Sequence, residues 1–323
     1  MRTITMEAVR DAAAHVYDAA VRTPLVRLDL PFGSGQRPDI YLKLESLQPI
    51  GSFKLRGAWN AVRRLPADVL RDGVWTVSAG NAAQGVAFAA RRAGVPCSVM
   101  VMDTAPSTKI KAIEALGAEI VRVTYDEAWR TVESHASDRM RGHFVHPFDD
   151  DDFIAGNATA ALEILEDLPD VDAVVISLGG GGLIAGVGSV MRAMKPGVRM
   201  FAAEPETAAP LATSLARGEA SHFEGWTASF VDGAGGKSVL PSMWPLLRTV
   251  VDASLVMPLA EVTGAMRHAA ERVHVIAEGA AGCAIAAACS GRAGHGKVVA
   301  IVSGGNIDLA RFAELVGALP AAR

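Results

Sequence analysis

Four consecutive glycines, Gly179, Gly180, Gly181 and Gly182, follow the apolar run 173–178 and lead into Leu183, Ile184 and Ala185. A buried strand that empties through such a turn into a helix leaves backbone N–H groups unpaired at the positive end of the helix dipole. Glycine also lets the backbone close on a ligand, so the chemistry on offer is that of an anion hole, with phosphate its natural occupant. A Walker nucleotide loop is unlike this one, because Leu183 and Ile184 stand where Lys and Ser or Thr would have to reach phosphate and metal. A dinucleotide loop fits better: Gly180, Gly182 and Ala185 match the permissive fingerprint, and Glu204 follows about 20 residues on, behind the apolar run 198–203. On this segment an NAD-dependent oxidoreductase stays open, as does a plain flexible turn.

Three further segments carry reactive groups at telling places. In Gly51-Ser52-Phe53-Lys54-Leu55-Arg56-Gly57-Ala58 a lysine opens a helix, where the dipole disfavours a cation. Ser78-Ala79-Gly80-Asn81 sits between a strand and a helix, and Asn81 reads equally as the cap of a helix starting at Ala82 or as a ligand-binding amide. Ser303-Gly304-Gly305-Asn306 ends the strand-like run 297–302.

The elements that must position these groups alternate. A helix over 6–20 and a strand over 40–44 precede strands at 74–77, 98–102 and 119–123, with helices at 82–93 and 107–116 between them. The pattern restarts with a helix over 158–168, a strand over 173–178, a helix from 183 and a strand over 198–203, then helices over 261–274 and 279–289 and a strand over 297–302. Strands alternating with helices imply parallel sheets, here two open α/β layers, and ligands in such sheets sit where loops leave the carboxyl ends of strands. The three loops could therefore face one site.

The chain of 323 residues has material for roughly two domains, and a formal net charge of -4 gives no basic excess for nucleic acid or an anionic membrane. The uncharged run 173–191 is long enough to raise a membrane helix, but its glycines and serines read better as strand, loop and helix. The start has no apolar segment of a signal peptide and carries Glu7 and Asp11, so a cytoplasmic protein is expected. Cys97, Cys283 and Cys289 are too scattered for a disulfide frame or zinc site and read as small buried fillers.

Taken in this order, the Lys54 segment, Ser78 to Gly85, the tetraglycine loop and the Ser303 loop resemble the signatures of fold-type II pyridoxal-phosphate enzymes, in the serine/threonine dehydratase branch. The resemblance runs from Arg22 to Asn306 and includes His146-Pro147-Phe148-Asp149 and Asp232-Gly233; Leu55, where threonine synthases usually carry an acid, favours the dehydratases. It implies an α/β fold of the tryptophan synthase beta type, with a large cofactor-binding domain of residues 1–46 plus 147–323, a small substrate-side domain of 47–146, and pyridoxal 5'-phosphate between them. It implies that Lys54 holds the cofactor as a Schiff base and serves as the base at the alpha carbon, which requires a lowered pKa. Gly179, Gly180, Gly181, Gly182 and Leu183 would bind the phosphate, Asn81 the ring hydroxyl, Ser303 the pyridine nitrogen, and Phe53 would pack on the ring. Ser78, Ala79, Gly80 and Asn81 would receive the substrate carboxylate, and Glu278 would lie near the ring. The implied reaction is loss of a beta-hydroxyl from an amino acid, giving a 2-keto acid and ammonia, in a homodimer with no nucleic-acid or membrane partner. The chain ends soon after Asn306, so no appended regulatory domain is expected.

Departures from the family pattern sharpen the substrate expectation. Relatives commonly have histidine where Ala82 stands, and the familiar Asp-Gly-Ile-Ala-Val segment is trimmed to Asp232-Gly233-Ala234-Gly235-Gly236. Either neighbours fill the lost volume, as close packing demands, or the side-chain pocket is roomy enough for phenylserine. Ala79, where serine racemases carry a second serine, argues against racemisation. Glu204 and Ala208 match two ligands of a divalent metal site found in some relatives, but Pro210 replaces the third, so no strong metal site is expected; residues 149–152 read as a solvated loop or a helix cap.

Overall fold

The computed structural model describes residues 2–29 and 38–317. Among the described residues ten strands form two sheets. The larger has the order β1-β2-β10-β7-β8-β9, from β1 (Leu25–Arg27), β2 (Asp39–Lys43), β7 (Ala173–Ser177), β8 (Arg199–Pro205), β9 (Ala253–Met257) and β10 (Lys297–Ile301). All its pairings are parallel except β1 on β2. The smaller sheet is all parallel, in the order β5-β4-β3-β6, from β3 (Val74–Val77), β4 (Cys97–Met102), β5 (Glu119–Val123) and β6 (His143–Phe144).

Side-chain alternation explains why helices cover both faces of the large sheet. Val174 and Ile176 of β7 pack with Ile184 and Val187 of the helix Gly182–Met194, while Ala173 and Val175 join Ala281 and Cys283 of the helix Gly279–Cys289. Ten of the eleven residues of Gly279–Cys289 are buried, and most are Ala or Gly, so this helix can lie close against the strands. The apolar run 173–191 divides into β7 and a 13-residue helix, and among the described residues no helix is long and apolar enough to cross a membrane.

Several boundaries differ from the sequence expectation for local reasons. The helix expected over 158–168 spans Asp151–Asp167, because the Asp150 carboxylate caps it by accepting from Phe153 N at 2.8 Å. The aspartates around it are shared out: Asp149 pairs with Arg2, and Asp152 with Arg64. The helix over 82–93 starts one residue earlier, at Asn81, with Gly80 as its cap, so the Asn81 side chain is free for another task. The helix expected to reach 274 stops at His268 and continues as one wide turn, Ala269–Val273. The pattern gave no sign of the helices Tyr125–Ser134 and Pro210–Arg217.

Candidate active site

The loops leaving β3, β7 and β10 meet across one cleft of about 390 Å³. The turn carrying Lys54 is tied to the β10 loop: Ser52 bridges Gly304, Phe53 N donates to Ser303 O at 3.0 Å, and Gly305 N donates to Gly51 O at 2.9 Å. All the sequence-predicted site residues line this cleft. Phe53 and Lys54 come from that turn, Ser78, Ala79, Gly80 and Asn81 from the β3 loop, Gly179, Gly180, Gly181, Gly182 and Leu183 from the β7 loop, and Ser303 from the β10 loop.

Lys54 opens the helix Lys54–Arg63, with Nζ 5.2 Å from the Phe53 ring centroid and 5.3 Å from that of Phe153, and donates to Pro147 O at 2.5 Å. Burial among these groups pushes its pKa down to about 8. A neutral amine is thus accessible near physiological pH, as a nucleophile or a base requires.

The glycine loop suits an anion. Gly181 has φ +92, and a Cβ on Gly180 would overlap the Phe148 ring, so the loop is pressed onto Phe148 on one side while its residues line the cleft on the other. The first N–H groups of Gly182–Met194 have no intrahelical acceptor and can serve a phosphate. Ser303, 5 % exposed, supplies a hydroxyl at another wall. An amine, a phosphate cradle, an amide and a hydroxyl around one cleft are the donor set a phosphorylated pyridine aldehyde needs, and the residues present fit it.

Asn81 does not cap its helix. Its Nδ2 donates to Glu278 Oε1 at 2.8 Å, and its Oδ1 accepts from Asn306 Nδ2 at 2.7 Å. Burial, reinforced by Asp232, raises the Glu278 pKa to about 7. The sequence placed Glu278 only loosely; its task depends on contacts with Asn81 and Asn306, which no local spacing reveals.

Arg56, two residues after Lys54, was not singled out from the sequence beyond its place in the motif. It is fully buried and forms a network with Glu45 (Nε to Oε2, 2.8 Å) and Glu163 (Nη1 to Oε1, 2.7 Å). Lys43 Nζ reaches Glu163 Oε2 at 2.6 Å and Thr23 Oγ1 donates to Glu45 Oε1 at 2.6 Å. Despite burial, the two carboxylates keep the Arg56 guanidinium charged. The network fastens the Lys54 helix to β2 and to the helix Asp151–Asp167.

Two other clusters are committed to structure. Glu204 is buried, accepts from Leu211 N and Ala212 N at 2.8 Å each and from Ser254 Oγ at 2.5 Å, and so caps the helix Pro210–Arg217. It is therefore not presented to a ribose, and the dinucleotide reading loses its acid. His135, His146 and Asp149 lie close enough to suggest a metal site. However, His146 Nδ1 accepts from Phe148 N and Asp149 N, leaving Nε2 to donate to Val132 O, and Asp149 is held by Arg2 and Ser242.

A second cavity, of about 420 Å³, opens onto the cleft and shares Ser78, Ala79, Trp129 and Gly233 with it. Its walls are mostly apolar: Met100, Met102, Ala128, Trp129 and Val132 from the side of the small sheet, with Trp226, Gly235 and Gly236 opposite. Of the positions expected to enlarge a side-chain pocket, Gly235 and Gly236 line this cavity. Ala82 lines only the cleft, and Ala234 is buried in the core.

Comparison with known proteins identifies the family. Residues 16–304 match the family model described as "Pyridoxal-phosphate dependent enzyme". The chain is 38% identical over 309 residues to an L-threonine ammonia-lyase of Thermotoga maritima, covering 95% of this chain and 76% of that one. Among solved structures it is similar to maize serine racemase (TM-score 0.85, 28% identity, 97% of each chain). It is also similar to the processed form of threonine deaminase isoform 2 from Solanum lycopersicum (TM-score 0.84, 30% identity, 98% of this chain and 96% of that one).

Proposed function

This chain belongs to the family of pyridoxal-phosphate dependent enzymes, with the fold-type II architecture and pyridoxal 5'-phosphate as cofactor, and from that premise we propose that it is an ammonia-lyase for beta-hydroxy-alpha-amino acids with a bulky apolar side chain, L-threo-phenylserine being the type substrate. The observation that carries the side-chain reading is the apolar cavity of about 420 Å³ beside the cleft. A dry apolar cavity of roughly 150 Å³ is enough to hold benzene. A second reading, an ordinary L-threonine or L-serine dehydratase, is favoured by the names of the relatives.

When bound, the cofactor would supply an electron sink for the alpha carbon. The chain's residues then divide the work. Lys54, with its amine near neutrality, takes the alpha proton. The N–H groups from Gly179 to Leu183 would hold the phosphate, Asn81, under the grip of Glu278 and Asn306, would meet the ring hydroxyl, Ser303 would meet the pyridine nitrogen, and Phe53 would pack on the ring. Ser78, Ala79 and Gly80 receive the substrate carboxylate. Ser303, being a hydroxyl rather than a carboxylate, does not compel protonation of that nitrogen, which favours departure of the beta group over a long-lived carbanion. Overall the amino acid loses water across its alpha and beta carbons and takes water back as the carbon–nitrogen bond hydrolyses, yielding a 2-keto acid and ammonia.

The proposal includes division of the chain into residues 1–46 plus 147–323 and residues 47–146, which the membership of the two sheets supports, and a cytoplasmic homodimer, which light scattering on the purified protein tests for its oligomeric part. The substrate is tested by 2-keto acid release from L-threonine, L-serine and L-threo-phenylserine side by side. Phenylpyruvate in excess is expected; 2-oxobutyrate or pyruvate in excess replaces the first reading with the second.

A further inference from the structure

The far wall of the apolar cavity carries a cation. Lys237 lines it, with Nζ 4.4 Å from the Trp226 ring centroid and 4.6 Å from that of Tyr125. Tyr125 begins the helix beyond β5, whereas Trp226 and Lys237 belong to the segment between the helix Pro210–Arg217 and β9, so the ammonium stands between the two sides of the cavity. Its backbone is fixed: Phe223 N donates to Lys237 O at 2.8 Å, His222 bridges Ser238, and Trp226 Nε1 donates to Gly235 O at 2.9 Å. Among the described residues the ammonium has no hydrogen-bond or carboxylate partner. Aromatic faces steady a cation through their quadrupoles but leave its N–H donors unused.

We propose that Lys237 is a specificity-determining residue that receives a hydrogen-bond acceptor, best a carboxylate, at the far end of the substrate's side chain. The inference rests on the reading of this cavity as the side-chain pocket. The pocket then has three zones in series: the polar loop around Ser78 for the alpha-carboxylate, apolar walls at Met100, Met102 and Trp129 for the middle of the side chain, and Lys237 at its end. The substrate class that matches is a beta-hydroxy-alpha-amino acid whose side chain is apolar in the middle and ends in an acceptor, such as a para-substituted aryl serine. A charge-assisted hydrogen bond in a site from which the ligand displaces water is the strong kind.

The test uses the holoenzyme and two amino acids that lack the beta-hydroxyl, L-phenylalanine and L-4-carboxyphenylalanine, titrated against the absorbance of the bound cofactor. The carboxylated ligand is expected to bind about tenfold or more tightly than phenylalanine, a preference that falls to about one in Lys237→Met and persists in Lys237→Arg. Equal affinities in the unsubstituted protein overturn the proposal without need of any variant, as does a preference that survives Lys237→Met. If L-2-aminobutyrate binds and L-phenylalanine does not, the side-chain reading of the cavity falls and Lys237 with it. If phenylalanine binds and the carboxylate adds nothing, only the role of Lys237 falls.

Discussion

Asn81 and Glu278, 197 positions apart in the chain, meet at 2.8 Å inside the cleft and join the loop after β3 to the start of the helix Gly279–Cys289. The contact decides what Asn81 can do. With Nδ2 given to Glu278 and Oδ1 taken by Asn306, its amide is held in one orientation, where a free helix cap would turn.

Glu278 has a pKa raised from 4.5 to about 7 by burial and by Asp232. A carboxyl whose folded pKa is raised contributes stability fully below its unfolded pKa and loses that contribution as pH rises through the folded value. Thermal unfolding of the cofactor-free protein at pH 5 and pH 8 should therefore show a loss on going to pH 8 that is smaller in Glu278→Gln, which keeps an acceptor for Asn81 but cannot ionise. Glu278→Ala leaves Asn81 Nδ2 unpaired, at a cost of about 1–3 kcal/mol, and should weaken cofactor affinity more than Glu278→Gln does. Equal pH dependence in Glu278→Gln and the unsubstituted protein would refute the assignment.

Lys54 in the folded chain is lowered from 10.5 to about 8, so its neutral fraction rises through pH 8. The rate at which cofactor-free protein takes up pyridoxal phosphate, followed by absorbance, should climb between pH 7 and 9 and then flatten. A climb continuing towards pH 10.5 would mean an ordinary, solvated lysine. Lys54→Ala should abolish keto acid release.

The buried Arg56 network predicts a large and asymmetric response. Removing one partner of a buried ion pair leaves a stranded charge and costs about 3–5 kcal/mol, so Arg56→Met, which strands Glu45 and leaves Glu163 with Lys43 as its only cation, should lower the denaturation midpoint far more than loss of the exposed Arg311–Glu314 pair. Urea unfolding of Arg56→Met and Arg311→Ala compares them, and similar midpoints would show that the network is not what anchors the Lys54 helix.

Much of this site was legible because its parts are local. Strand, glycine turn and helix follow one another at β7, and the same order holds around Ser78, so period and punctuation place those loops at strand ends. Lys54 stands out because a cation at a helix start is electrostatically odd. Arg56, Glu278, Trp226 and Lys237 were not legible in this way: their partners lie 9 to 197 positions away or on other elements, and nothing in a buried arginine's immediate neighbours says that Glu45 and Glu163 will meet it. The Asp232 segment was half legible. The sequence shows that volume was removed, but only packing shows that Gly235 and Gly236 border a cavity while Ala234 does not.

Gly236 offers the direct test of that volume. A Cβ there would meet nothing closer than Ser238 O at 3.9 Å and Gly179 O at 4.0 Å, whereas a Cβ on Gly180 would overlap Phe148. A Cβ at 236 therefore fits without displacing backbone, and a valine there is expected to take up room in the cavity that a phenyl ring needs but a methyl group does not. Gly236→Val should lower kcat/KM for L-threo-phenylserine at least tenfold relative to L-threonine, at little cost in unfolding temperature, and Trp129→Ala should not reproduce the shift because it enlarges the same space. Gly180→Ala, by contrast, should weaken cofactor binding and reduce turnover of both substrates alike, since Phe148 and the phosphate-side loop cannot both keep their places. Should Gly236→Val leave the ratio of the two substrates unchanged, the cavity is not where the side chain goes.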